Sequence, residues 1–166
     1  ASPRRSALLT QIGVAHRIRP VDVDERLESG ETPLEYVQRL AALKAETLWE
    51  RLDHSERHPV LVSDTTDAVD VHILAKPVDE RDGVRMLRLV SARTHQVYTA
   101  VALRSAAGCE TRVSVSEVTF RALSEEECVA YWRSGEPADK AGAYGVQGLA
   151  ALFIERISGR YSGIMG

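Results

Sequence analysis

A capping box at Thr32-Pro33-Leu34-Glu35 fixes the start of the longest predicted element of this chain. Threonine at the N-cap, proline in the first turn and glutamate at the third helical position are typical of a helix start, so we predict a helix from Pro33 to about Leu52. Lys44 falls on the apolar stripe of this helix, where a charge is costly unless it reaches solvent or an anion. The stripe consists of Val37, Leu40, Ala41 and Leu48.

Strand and helix patterns alternate along the rest of the chain, which indicates a mixed α/β fold. The apolar run Pro59–Ser63 reads as a buried strand that delivers Asp64 at its carboxyl end, the edge where open α/β sheets bind ligands. Further predicted strands are Val71–Leu74, the hairpin pair Gln96–Leu103 and Thr111–Phe120, and Leu149–Ile157; further helices follow Ser2, Asp79 and the capping box Ser124/Glu127.

Composition narrows the range of ligands. The chain has 166 residues and a net charge of −3, which excludes a general nucleic-acid coat and favours a small anionic ligand held by a local cluster of cations. Its two cysteines and five histidines are scattered without metal-ligand spacing, so a reducing cytoplasm fits best and neither a zinc site nor a disulfide framework is indicated. No apolar run approaches the ~20 residues of a membrane span.

The first predicted helix begins with charges of the wrong sign. Ser2 fits its N-cap and Gly13 its end, which places Arg4 and Arg5 in the first turn, where the helix dipole disfavours cations. An anion bound at this helix end would compensate, and phosphate is the natural candidate. The alternative is two solvated arginines at a frayed end.

The segment Asp139–Gly148 contains three glycines, which expose backbone for close approach to a ligand. Tyr144 offers a ring, and the amide of Gln147 offers a donor and an acceptor suited to the edge of a nucleobase. The alternative is a flexible connection.

Taken together, the unusual residues suit a triphosphate site. Cations would hold the phosphates, one or two carboxylates would carry Mg²⁺, and Asp64 could accept a proton from an attacking water. The chain has no GxxxxGK[ST] loop, so it is not a P-loop enzyme. The set comprises Arg4, Arg5, Lys44 and Lys76 with Glu25 and Asp64.

Seven motifs occur in the order seen in Maf proteins, a family of nucleotide pyrophosphatases also called septum formation inhibitors, and the whole chain resembles that family. They are Ser2-Pro3-Arg4-Arg5, Asp24-Glu25, residues 36–45, Ser63-Asp64-Thr65, Lys76-Pro77, residues 94–99 and residues 139–148.

The resemblance implies cleavage of a nucleoside triphosphate between the α and β phosphates, with Mg²⁺ or Mn²⁺. Asp64 matches the family's catalytic carboxylate and Glu25 a second acidic ligand of metal or water. The remaining matches are Ser2, Arg4, Lys44 and Lys76 on the phosphate side, and Arg5, Thr65 and Gln147 at positions associated with choice of base.

Both base-associated motifs resemble the branch that acts on dTTP and UTP, because the branch acting on 7-methyl-GTP has tryptophan after the proline. The implied fold is a single α/β domain of the Maf and inosine triphosphate pyrophosphatase type, a mixed twisted sheet with flanking helices and two lobes around a central cleft. A homodimer is expected. The family pattern also has a strand before residue 1 and a helix after residues 161–166, neither of which lies in this sequence.

Two positions depart from the family pattern. Asp67 stands where an apolar strand residue is usual, and Val71 where a turn glycine is common. We therefore expect Asp67 to face solvent or the metal, since an unpaired buried carboxylate would cost several kcal/mol. The competing hypotheses are a non-catalytic or weakly active nucleotide-binding regulator of cell division, and a house-cleaning pyrophosphatase for other or modified triphosphates.

Overall fold

The computed structural model describes residues 2–166, apart from the side chain of residue 56, and contains a sheet with strand order β2-β1-β3-β4-β5. Helices flank this sheet, so the α/β class predicted from the sequence is confirmed. The strands are β1 (Val60–Val69), β2 (His72–Leu74), β3 (Thr94–Ser105), β4 (Gly108–Phe120) and β5 (Ile154–Ser158); the helices are α1 (Pro3–Gln11), α2 (Pro33–Arg51), α3 (Glu80–Val90), α4 (Glu125–Arg133) and α5 (Tyr161–Met165).

Both predicted capping boxes are confirmed. The Thr32 hydroxyl accepts a hydrogen bond from the Glu35 amide while the Glu35 carboxylate accepts one from the Thr32 amide, and Ser124 and Glu127 repeat this exchange at the start of α4. Each box satisfies two backbone donors that a helix end otherwise leaves unpaired. These local hydrogen bonds explain why the starts of α2 and α4 can be predicted from short sequence patterns.

The strand β1 is longer than predicted. It runs past Asp64 to Val69, so this carboxylate lies within the strand and not at its carboxyl end. The β1–β2 pair is antiparallel, with Asp67 opposite Leu74. In the connection between them Asp70 takes the positive φ of 57°, so Val71, exposed in this turn, does not need to be glycine.

The predicted strand Leu149–Ile157 begins later than expected. Residues Leu149–Leu152 form a 3₁₀ turn, and β5 starts only at Ile154, antiparallel to β4. The Leu149 amide donates to the Glu136 carboxylate at 2.9 Å, so this backbone group is bonded outside the sheet. The Glu136 carboxylate thus takes a backbone donor that strand pairing could have used. Hydrophobic alternation in the sequence does not reveal such a side-chain acceptor.

The chain divides into two units. The first comprises Ala1–Asp64, Ala100–Val113 and Gly166, and the second Thr65–Thr99 and Ser114–Met165, so β1, β3 and β4 each contribute residues to both. The first unit buries apolar side chains of α2, including Val37 and Leu40. The core of the second unit lies around Leu87, Val90, Val97, Val118 and Phe120. Among residues 2–166, no helix is long and apolar enough to cross a membrane.

Candidate functional site

The start of α1 presents cations as predicted. Ser2 is the N-cap, its hydroxyl makes no capping hydrogen bond, and the first turn contains no acidic residue. Arg5 points inward: its guanidinium donates to the Ser63 carbonyl of β1 and, at 3.2 Å, to the Gly166 carbonyl. Burial lowers the pKa of Arg5, an effect that the neighbouring Asp64 carboxylate opposes. The structure therefore brings Arg5 beside the carboxylate predicted to be catalytic.

Lys44 lies between two carboxylates in the first unit. Its ammonium nitrogen is 2.6 Å from Asp64 Oδ1 and 2.6 Å from Glu25 Oε1. The Lys44 and Asp64 side chains are only 14% and 12% exposed, whereas that of Glu25 is 49% exposed. The Lys44 charge on the apolar face of α2 is thus paired with two carboxylates. Glu25, Lys44 and Asp64, which are far apart in sequence, form one charged cluster.

For both Asp64 and Lys44, burial and the neighbouring opposite charges shift the pKa in opposite directions. Burial raises the pKa of Asp64, and the Lys44 ammonium only partly offsets that effect. Burial would lower the pKa of Lys44, but Asp64 and Glu25 outweigh it and raise the net value. Lys44 therefore remains charged, while Asp64 becomes a stronger base than an exposed aspartate.

Side chains of α2 hold the acidic segment that carries Glu25. The Tyr36 hydroxyl donates to the Glu25 carbonyl at 2.9 Å, and Arg39 donates to the Arg26 carbonyl at 3.0 Å and to the Glu31 carboxylate at 2.5 Å. Burial, together with the charges of the nearby carboxylates, raises the pKa of Tyr36 to about 12. Tyr36 and Arg39 both lie in the motif 36–45, but these positioning contacts are not evident from the sequence.

The remaining predicted site residues belong to the second unit. Thr65 shares a hydrogen bond of 2.8 Å with the Thr99 hydroxyl, which donates to the Gly163 carbonyl at 2.6 Å. Lys76 is exposed in the connection that follows β2, and Gln147 is exposed in the glycine-rich segment. The predicted residues are therefore split between the units. The first unit contains the charged cluster with Ser2, Arg4 and Arg5, and the second contains Thr65, Lys76 and Gln147.

Asp67 lies neither in solvent nor at the predicted metal site. It is 4% exposed and accepts a hydrogen bond of 3.2 Å from the Tyr144 hydroxyl, which also lies 2.8 Å from His95 Nε2. Gly142, at a φ of +66°, packs so closely that a Cβ there would lie 2.9 Å from Asp67 Cγ. The carboxylate that departs from the family pattern is thus buried and hydrogen-bonded, and a sequence pattern could not reveal its partners.

His95 gives this buried cluster a pH-dependent stability. Burial lowers the pKa of His95 from the ordinary 6.5 to about 4, so the unfolded chain binds a proton between these values that the folded chain does not. Stability from this residue is complete above about pH 6.5, and about 3 kcal/mol is lost as the pH falls to about 4. We expect H95Q, which cannot titrate, to show a shallower loss of unfolding free energy over that range in urea titrations. Equal slopes of unfolding free energy against pH for the wild type and H95Q would show that His95 is not the source of the pH dependence.

The sheet and its flanking helices, with a partly buried lysine held between two carboxylates, define an α/β protein with a charged polar cluster. The Maf-like protein family matches residues 1–166, and the chain belongs to this family. It is 49% identical over 166 residues to a protein of Saccharophagus degradans named dTTP/UTP pyrophosphatase, covering 99% of this chain and 79% of that protein. Proteins of the same name from Hahella chejuensis and Cupriavidus pinatubonensis are 47% and 49% identical, each over 99% of this chain and over 82% and 86% of their own length.

Proposed function

We propose that this protein hydrolyses dTTP and UTP to the nucleoside monophosphate and pyrophosphate. The observation that carries the proposal is the partly buried Lys44 ammonium held between Asp64 and Glu25, with Arg5 close to the same carboxylate. The relatives, which are named dTTP/UTP pyrophosphatases, support the substrate and the reaction. In this reaction water attacks the α phosphorus and pyrophosphate leaves.

Asp64 is the proposed general base. A carboxylate whose pKa is raised by burial accepts a proton from water more readily than an exposed one, and the Lys44 ammonium, which opposes this rise, favours the ionised form that a base requires. The ammonium of Lys44 can also bind phosphate oxygens, where it stabilises the charge that develops on the leaving group. Ser2 and Arg4 at the start of α1, and Lys76, complete the proposed phosphate contacts.

The donor set fits a hard divalent cation. Glu25 and Asp64 present carboxylate oxygens to a common point that Lys44 Nζ occupies in this structure, so a cation would bind there only if the ammonium turned to the substrate phosphates. Among the described residues no third metal-binding side chain joins these two, so phosphate and water would complete the ligands. Two carboxylates with substrate phosphates and water are the usual ligands of Mg²⁺, and Mn²⁺ accepts the same oxygens. When bound, the cation would polarise the phosphoryl oxygens and neutralise part of their charge.

Base selection is assigned to Arg5, Thr65 and Gln147. Uracil and thymine present an N–H donor between two carbonyl acceptors, and the exposed Gln147 amide carries both complementary groups. Arg5 already donates to the Ser63 and Gly166 carbonyls, so its proposed effect on base choice is exerted from a fixed position. The homodimer and the cytoplasmic location stay predictions.

A substrate panel tests the proposed function. Pyrophosphate release is measured for the common ribo- and deoxyribonucleoside triphosphates with Mg²⁺ or Mn²⁺, for the wild type and for Q147A and R5K. We expect dTTP and UTP to be preferred, and Q147A to lose about tenfold in this preference while keeping hydrolysis. Tight binding of dTTP with no hydrolysis under any condition would favour the regulatory hypothesis, and a preference for modified triphosphates the house-cleaning one.

A further inference from the structure

The backbone on both sides of Gln147 is hydrogen-bonded, directly or through Tyr131, to the carboxylate of Glu136. On one side, the Leu149 amide donates to Glu136 Oε2 at 2.9 Å. On the other, the Gly145 amide donates to the Tyr131 hydroxyl at 3.2 Å, and that hydroxyl donates to Glu136 Oε1 at 2.6 Å. One carboxylate therefore fixes the backbone before and after the residue proposed to recognise the base.

The turn between these two anchors is closed and tightly packed. The Gly148 amide donates to the Gly145 carbonyl at 3.0 Å, which closes a four-residue turn with Gln147 at its third position. A Cβ at Gly148 would lie 2.0 Å from Glu136 Oε2, so only glycine allows this approach. Tyr131 is 3% exposed, whereas the Gln147 side chain is exposed. The buried side of the turn is thus fixed by Glu136 and Tyr131, while the side chain of Gln147 is exposed.

We propose that Glu136, through Tyr131 and the Leu149 amide, is a positioning residue that presets the Gln147 turn for recognition of the pyrimidine base. This inference rests on the proposed function, because it assumes that Gln147 contacts the base. An amide selects a base only when its donor and acceptor are held in register, and ordering a mobile turn at the moment of binding lowers affinity. Glu136 would act without touching the substrate.

A purely structural role for Glu136 predicts a different result. If the carboxylate only stabilised the second unit, its loss would lower thermal stability and would not change the contribution of the base to binding. Inorganic tripolyphosphate provides the comparison, since it carries the phosphates of dTTP and lacks the sugar and base. The informative quantity is therefore the affinity for dTTP divided by the affinity for tripolyphosphate.

Calorimetric titration of the full chain, with Ca²⁺ replacing Mg²⁺ to slow turnover, measures this ratio. We expect E136Q to weaken dTTP binding about tenfold and tripolyphosphate binding less than about twofold. Y131F, which removes the bridging hydroxyl, should shift the ratio in the same direction. E127Q is the matched control, because Glu127 also accepts a backbone amide in this unit, at Ser124, but belongs to a capping box. It should leave the ratio unchanged.

A double variant tests whether Glu136 acts through Gln147. In a Q147A background, E136Q should cause no further change in the ratio. Equal weakening of both ligands by E136Q and Y131F, or full additivity with Q147A, would overturn the inference. A wild type that binds dTTP selectively but releases no pyrophosphate would refute the proposed function and leave the inference standing. A wild type that binds dTTP no better than tripolyphosphate overturns the inference whatever its hydrolytic activity.

Discussion

Replacing Asp64 with asparagine is expected to lower kcat for dTTP by about 10³-fold. Asparagine has nearly the same shape and can still accept a hydrogen bond from Lys44, but its amide neither takes a proton from water nor carries a negative charge. The loss should therefore appear in the chemical step, with KM changed much less. Initial rates of pyrophosphate release and a thermal melt of the same sample measure both properties.

The matched control for this experiment is D53N. Asp53 is an exposed aspartate of the first unit and makes no capping hydrogen bond at the 3₁₀ turn that follows it. D53N should keep the wild-type rate. Full activity in D64N would show that another group accepts the proton, and a collapsed thermal melt would assign the lost activity to unfolding.

Replacing Lys44 with methionine is expected to lower kcat/KM by about 10²-fold. The substitution keeps an unbranched apolar side chain at this position of α2 but removes the charge that faces both carboxylates. Since the ammonium opposes the rise in the pKa of Asp64, its loss should raise that pKa further. A base must be ionised, so the rising limb of the pH–rate profile should move to higher pH.

K44R and R112M provide the comparisons for K44M. Arginine restores the charge in a different geometry, so K44R should recover the position of the pH limb but only part of the rate. Arg112 pairs with Glu110 in an exposed ion pair, and R112M should alter neither the rate nor the pH limb. An unshifted limb in K44M would contradict the electrostatic coupling of Lys44 and Asp64.

Local hydrogen-bond patterns made several helix starts predictable. Thr32 and Ser124 form capping boxes with residues three positions away, and Asp79 caps α3 through the amide of Asp82. The residues that form these contacts lie three positions apart, so a short sequence pattern is enough to predict them. The charge of Lys44 on an apolar face likewise predicted that it must meet an anion or reach solvent, although the residue pattern alone left the partner open.

Long-range polar contacts account for what the sequence pattern missed. The strand β1 continues through Asp67, whose carboxylate is bonded to Tyr144, a residue 77 positions away in the chain. The amide of Leu149 is bonded to Glu136 in the 3₁₀ turn that precedes β5. Neither partner can be recognised from hydrophobic periodicity, because periodicity reports which face is buried and not which polar groups meet there.

Isotope labelling of the products tests the central claim most directly. The protein is incubated with dTTP and Mg²⁺ in water enriched in ¹⁸O, and the products are identified by ³¹P NMR. Attack of water at the α phosphorus predicts dTMP that carries one ¹⁸O atom and unlabelled pyrophosphate. Formation of dTDP and inorganic phosphate, or labelled pyrophosphate with unlabelled dTMP, would contradict it.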